Sequence, residues 1–149
     1  MPTLRVRSWV AAPIEDVFAF YDDPVNLGRL MPPPIRFRLV SIDPAPPQKG
    51  SIFEFSYGLG PIQRPWIVRL IDRVENERFV DETLSGPMAR FSHSHTFTAG
   101  SRGTWIEDRV DYHVGPDGPL GAAIDFVAGL AMRAIFVWRG MRQRQLLRG

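Results

Sequence analysis

The feature that most constrains the fold is a series of six short segments between residues 35 and 114 in which apolar and polar residues alternate. One long apolar stretch follows these segments. Compact turns such as Gly58-Leu59-Gly60-Pro61 and Gly100-Ser101-Arg102-Gly103 separate the segments. A period of two indicates half-buried strands, and short turns join neighbouring strands in antiparallel order. The pattern therefore predicts an antiparallel meander.

One further strand and two short helices precede this meander. Residues 4–10 alternate, and Pro13 stands where a first helical residue is expected, with acidic residues in the first turn after it. A second short helix is predicted from Pro24 to about Leu30. The predicted order is a strand, two short helices, six strands and one long helix.

The long apolar stretch runs from Leu120 to Trp138 and contains Asp125 and Arg133. Two charges within so short a stretch disfavour a membrane span, so we interpret it as a packing helix. Only this helix is long enough to cover the apolar face of the sheet, which predicts a single α+β domain over residues 1–149. Spacings of three and four predict an inward stripe of Ile124, Val127, Ala131 and Ala134.

Composition narrows the function classes. With 149 residues, 44% of them hydrophobic, the chain has the size and content of one globular domain. It contains no cysteine, which excludes disulfides and thiol catalysis and suits a reducing compartment. The 18 basic and 16 acidic residues nearly balance, and basic runs are absent. No apolar leader is visible at the N-terminus. We therefore expect a cytoplasmic protein that does not bind nucleic acid.

The predicted strand 90–98 carries two of the three histidines on one face, where they alternate with Phe91 and Phe97. Large aromatic residues belong on the buried side, so His93 and His95 are predicted to point inward. The next strand places Asp108 inward, opposite His93 in one register and opposite His95 in another. The preceding predicted strand places a further acidic group, Asp81, on the same inward face. The expected result is a polar cluster of Asp81, His93, His95 and Asp108.

Several roles stay open for this cluster. It is either a hydrogen-bonded network that braces the sheet, a site that orients a bound molecule, or a general acid–base site. A His-x-His pair can also bind a metal, but no firm third ligand is evident, so no metal is predicted. A phosphate-binding loop is absent, because Pro61 follows Gly58-Leu59-Gly60 and lacks the N–H an anion needs, and no cofactor is predicted.

Nearly the whole chain resembles the START-like helix-grip superfamily (SRPBCC), and most closely its small bacterial polyketide cyclase/dehydrase-like branch. That resemblance implies a curved antiparallel sheet wrapped around a long C-terminal helix, with a cavity between them; members share the cavity rather than one reaction. The residues that carry it are Val10-Ala11-Ala12-Pro13-Ile14-Glu15-Asp16-Val17-Phe18, Asp23-Pro24, Phe79-Val80-Asp81-Glu82, Gly86-Pro87, His93-Ser94-His95-Thr96-Phe97, Gly103-Thr104, Asp108, Tyr112 and Gly118-Pro119-Leu120-Gly121.

We therefore predict a protein that binds or carries a small hydrophobic or amphipathic molecule, such as a lipid, a quinone or a polyketide-like compound. Small residues of the predicted helix stripe would face bulky aromatics and leave a cavity larger than about 300 Å³. The predicted lining comprises Phe53, Phe55, Trp66, Val68, Phe91, His93, His95, Val110, Tyr112, Ile124, Val127, Ala131 and Ala134.

Two other functions stay open. One is a cyclase/dehydrase-type enzyme that uses Asp81, His93, His95 and Asp108, and the other is a structural or partner-binding domain. Phe126, Ile135 and Phe136 lie outside the predicted inward stripe of the last helix. They would pack on the short helices, form a homodimer contact or touch a membrane transiently. The arginines at the C-terminus would complement the helix end or attract phospholipid.

Overall fold

A computed structural model describes residues 2–147 and has the predicted order of elements. The helices are α1 (Ile14–Asp22), a 3-10 helix (Pro24–Leu30) and α2 (Pro119–Leu146). The strands are β1 (Thr3–Val10), β2 (Ile35–Asp43), β3 (Ile52–Leu59), β4 (Ile62–Val74), β5 (Arg78–Ser85), β6 (Arg90–Ala99) and β7 (Thr104–His113).

All seven strands form one antiparallel sheet in the order β1-β7-β6-β5-β4-β3-β2. The chain leaves β1 through α1 and the 3-10 helix, so β1 pairs with β7 instead of β2. Irregular register in β4, between Ile67 and Val68 and between Leu70 and Asp72, is of the kind that bends a strand. α2 packs against β1, β7 and the 3-10 helix. The predicted α+β fold class is confirmed.

The hydrophobic core consists of two clusters. The larger one joins Val17 and Phe18 of α1 to the inward aromatic and aliphatic residues of β3–β7. The smaller one lies under α2 and contains Leu4, Val110, Tyr112, Met132 and Phe136. The sheet is therefore covered at both ends of its inner face.

The helix α2 turns a different face toward the sheet from the one predicted. Ile124, Val127, Ala131 and Ala134 are exposed, so the predicted inward stripe is wrong. The true buried face still recurs every three or four residues, but it includes charged and polar residues and glycines. It consists of Gly121, Asp125, Met132, Phe136, Arg139, Gly140 and Gln143.

Specific polar contacts and close packing explain this orientation. Asp125 accepts a hydrogen bond from the backbone N–H of Val114 at 2.7 Å, and its other carboxylate oxygen lies 2.7 Å from His113 Nδ1. Gln143 donates to the Ser8 hydroxyl at 2.7 Å. At Gly121 a Cβ atom would lie 1.4 Å from the carbonyl oxygen of Pro116, so a side chain does not fit there. These contacts outweigh the preference of the more apolar face for burial.

The outer face of α2 is consequently apolar and exposed. By length and composition α2 could cross a membrane, since an 18-residue window has a mean hydropathy of 1.8 with only 22% of it buried. Its opposite face, however, packs Asp125, Arg139 and Gln143 into the domain, as a packing helix does. The exposed large residues are Leu120, Ile124, Phe126, Val127, Leu130, Val137 and Met141.

Candidate ligand-binding cavity

A cavity of about 240 Å³ lies between the inner face of β2–β6 and the helices. Seven residues of the predicted lining are on its wall: Phe53, Phe55, Trp66, Val68, Phe91, His93 and His95. The cavity is smaller than the predicted 300 Å³. Because α2 is rotated from the predicted orientation, Met132 and Phe136 face the sheet in place of Ala131 and Ala134, and their side chains fill part of the space.

Six residues of the predicted lining are not on this wall. Val110 and Tyr112 are buried in the cluster under α2, because β7 lies directly beneath that helix. The four predicted helix residues, Ile124, Val127, Ala131 and Ala134, are exposed.

The helices contribute cavity residues that the sequence interpretation missed. Four of these residues lie on α2, on a face next to its most apolar stripe, and their spacing of three and four residues could have revealed them. The missed residues include Tyr21 of α1, Leu27 and Leu30 of the 3-10 helix, and Met132, Ile135, Phe136 and Arg139 of α2.

Four polar residues of β5, β6 and β7 come together at one end of the cavity, as the sequence predicted. The register pairs His95 with Asp108 and His93 with Asp81, which settles the alternative left open. Both histidines nevertheless reach the same carboxylate. His93 Nε2 hydrogen-bonds to Asp108 Oδ1 at 2.9 Å. His95 Nδ1 lies 2.8 Å from that oxygen but is too poorly aligned for a regular hydrogen bond.

The protonation of this cluster follows from its burial. Burial opposes ionisation of Asp108, but its contacts with His93 and His95 outweigh this effect and hold its pKa well below the usual range. Burial, together with the neighbouring imidazole, lowers the pKa of His93 to about 4. Burial also lowers the pKa of His95. At neutral pH the cluster therefore holds an ionised Asp108 between two neutral imidazoles, with the His93 Nε2 proton directed at the carboxylate.

Asp81 differs from Asp108 because it lies on the cavity wall and its side chain is one-fifth exposed. Its carboxylate is 3.8 Å from His95 Nε2. Burial raises the pKa of Asp81 to about 6, although its neighbours His93 and Arg139 lower it. Asp81 can therefore exchange a proton near neutral pH, which is the property of a general acid or base.

The same residues have the composition of a metal site. Asp81, His93 and His95 each offer one donor atom, and the three atoms lie within 4.8 Å of one another. Asp81 would be the third ligand that the sequence could not identify, and such N and O donors suit zinc. The positive guanidinium of Arg139, close enough to act on Asp81, opposes a cation at this place.

Arg139 is the cavity residue that sequence analysis most clearly misinterpreted, as a charge that complements the end of the helix. It is only 7% exposed and lines the cavity. Its guanidinium carbon lies 4.7 Å from the centroid of the Phe136 ring. Within residues 2–147, neither Nε nor Nη2 of Arg139 has a hydrogen-bond partner.

A curved antiparallel sheet and a long C-terminal helix, with a largely apolar cavity between them, define a helix-grip fold. The family described as polyketide cyclase/dehydrase and lipid transport matches residues 10–135. The chain belongs to this family. No curated protein sequence is significantly similar to it.

Solved structures show the same fold at low sequence identity. A protein from Chromobacterium violaceum is 15% identical, with a TM-score of 0.77 over 100% of this chain and 99% of its own. A protein from Rhodobacter sphaeroides is 20% identical, with a TM-score of 0.74 over 97% and 90%. The di-domain aromatase/cyclase StfQ of the steffimycin biosynthetic pathway is 11% identical, with a TM-score of 0.74 over 97% of this chain and 50% of StfQ.

Proposed function

We propose that this protein binds a small, mainly apolar molecule in the cavity between the sheet and α2, and that it acts as a binding or carrier module. The observation that carries the proposal is the cavity itself, an aromatic and aliphatic enclosure with one polar end. A few convergent polar groups within an apolar wall are the usual composition of a small-molecule site. A domain with only a structural role gains nothing from apolar surface left unpacked in such a cavity, so the space itself supports a bound molecule.

The size of the cavity limits the molecule. Its 240 Å³ is below the range of about 300–1,000 Å³ found for sites of drug-sized ligands, which favours a compact ring system over a long-chain lipid. Membership of a family that includes lipid transport proteins supports a hydrophobic ligand in general.

A titration with the neutral fluorescent probe N-phenyl-1-naphthylamine tests this proposal. The wild type should bind one probe molecule per chain. Val68→Phe adds bulk inside the cavity and should weaken binding at least tenfold, whereas Val40→Phe on the exposed side of β2 should leave it unchanged. Equal binding by both variants would place the probe outside the cavity and contradict the proposal.

A second candidate is a general acid–base enzyme of the cyclase/dehydrase type. Asp81, with its pKa near 6 and its carboxylate 3.8 Å from His95 Nε2, is the observation that favours it. Such a pair could move a proton to or from a carbonyl compound during an aldol or dehydration step.

Native mass spectrometry of freshly purified protein would identify a co-purifying molecule to use as substrate. If the protein is an enzyme, His95→Gln should lower turnover roughly 100-fold or more and change affinity less than tenfold. The absence of any product from the wild type would contradict this second candidate and leave the binding function intact.

A further inference from the structure

Arg139 is a buried cation on the wall of a largely apolar cavity, and part of its guanidinium has no hydrogen-bond partner within residues 2–147. An arginine side chain stays positively charged in proteins, and a buried charge is stable only when it is paired or hydrogen-bonded. Two of its N–H-bearing nitrogens, Nε and Nη2, have no acceptor within residues 2–147. These two nitrogens lie on one edge of the guanidinium, the edge that binds both oxygens of a carboxylate at once.

The polar groups nearby are engaged elsewhere. Asp108 accepts from His93 and contacts His95. The Tyr21 hydroxyl donates to the side-chain oxygen of Gln143 and also lies close to the Arg139 guanidinium, whose Nε and Nη2 still have no partner within residues 2–147. Asp81 is close enough to interact with the charge of Arg139 but makes no hydrogen bond to it. The protein thus leaves one edge of the guanidinium free.

Other surroundings of Arg139 suit an aromatic ligand. The guanidinium lies over the Phe136 ring, which favours a fixed position of its charge. Phe53, Phe55 and Trp66 form an apolar part of the same cavity wall. A bound molecule would therefore meet aromatic surface along its body and, at its polar end, the free edge of the Arg139 guanidinium with the Asp81 carboxyl on the same wall.

We propose that the ligand is a compact aromatic or alicyclic acid whose carboxylate binds Nε and Nη2 of Arg139 while its ring system fills the apolar cavity. This inference rests on the proposed binding function and specifies its substrate class. Asp81 on the same wall repels a second negative charge, so the site selects a monoanion.

Calorimetric titration with 2-naphthoate and its neutral isostere 2-naphthamide tests the proposal. The two probes have the same ring system and nearly the same shape, and only the first carries a carboxylate. We expect the wild type to bind 2-naphthoate roughly 10- to 100-fold more tightly at pH 7, since hydrogen bonds to a buried charged group are strong.

Arg139→Met keeps the apolar stem and removes the charge, so the preference for 2-naphthoate should vanish while 2-naphthamide still binds. Arg133→Met, at an exposed position of the same helix, is the matched control and should keep the preference. Asp81→Asn removes the nearby acid and should strengthen binding of 2-naphthoate but not of 2-naphthamide.

The thermal stability of the ligand-free variants separates a binding role from a structural one. An arginine kept for a ligand contributes nothing to the empty protein, so Arg139→Met should unfold at the wild-type temperature or above it. If Arg139→Met does not fold, Arg139→Lys keeps the charge without the fork and should retain only part of the preference.

The outcomes are distinguishable. Equal affinity of the wild type for both probes, or a preference that survives Arg139→Met, would overturn the acid-binding inference while the binding function stands. Failure of both probes to bind would overturn the binding function itself.

Discussion

Asp108 is the residue on which the polar end of the cavity depends. It is the common neighbour of His93 Nε2 at 2.9 Å and His95 Nδ1 at 2.8 Å, and all three residues are buried. One carboxylate thereby orients both rings, whose centroids are 3.7 Å apart. Without it, the His93 N–H would be buried with no acceptor, and His95 would lose its contact with a charged neighbour.

Replacement of Asp108 should therefore be costly. We expect Asp108→Ala to lower the free energy of unfolding by about 2–4 kcal/mol, because it leaves the buried His93 donor unsatisfied and opens a gap beside His95. Glu107→Ala, one position along the same strand and exposed, should change it by less than about 0.5 kcal/mol. Chemical denaturation of both variants measures the difference. A similar small effect for both would mean that Asp108 is not a buried partner of the histidines.

The same residues predict how stability depends on pH. His93 has a folded-state pKa near 4, below its unfolded value of about 6.5, so its contribution is present above pH 6.5 and is lost as pH falls toward 4. The raised pKa of Asp81, near 6, acts in the opposite direction, because the folded protein binds a proton between about pH 6 and 4 that the unfolded chain does not. The two effects partly cancel in the wild type.

Replacing either residue should reveal the pH dependence of stability that the other residue contributes. Asp81→Asn should lose about 1 kcal/mol more stability than the wild type between pH 7 and pH 5, and His93→Gln should lose about 2 kcal/mol less. Urea denaturation at a series of pH values provides the test. Identical pH profiles for the wild type and both variants would show that neither group is buried as described.

At the scale of elements, the strands could be predicted from the sequence and the orientation of α2 could not. Alternation fixes which side of β6 carries His93 and His95, because a strand has only two faces and Phe91 and Phe97 mark the inner one. A helix has no such binary choice. α2 buries Asp125 and Gln143, whose hydrogen-bond partners lie more than ten residues away in the sequence, and Arg139, which lines the cavity. The helical spacing of this face is present in the sequence, but no local feature favours its burial over that of the more apolar stripe.

The orientation of α2 can be tested by making the same substitution at two of its phenylalanines, one buried and one exposed. Phe136 is 7% exposed and packs against His93, whereas Phe126 is 68% exposed. Phe136→Ala should cost about 3 kcal/mol or more of folding stability, and Phe126→Ala less than about 0.5 kcal/mol. Denaturation midpoints of the two variants, measured side by side, decide the matter. The reverse ranking would restore the orientation predicted from the apolar stripe.

At the scale of the whole molecule, the fold could be predicted from the sequence because the order of elements is compatible with few arrangements. Six strands in a meander form a sheet with one apolar face, and one long helix is available to cover it. The volume of the cavity could not be predicted from the sequence, because it depends on which side chains of α2 enter the cavity. Met132 and Phe136 reduce it, and Arg139 gives it a charge that the predicted alanines would not have provided.

The central claim is that a small molecule binds between the sheet and the buried face of α2. The most direct measurement is the set of nuclear Overhauser contacts between 2-naphthamide and the methyl groups of the isotope-labelled protein. We predict contacts to Val68, Leu70 and Met132, which line the cavity. Contacts confined to the exposed methyl groups of Val127, Leu130 and Val137, on the outer face of the helix, would contradict the account.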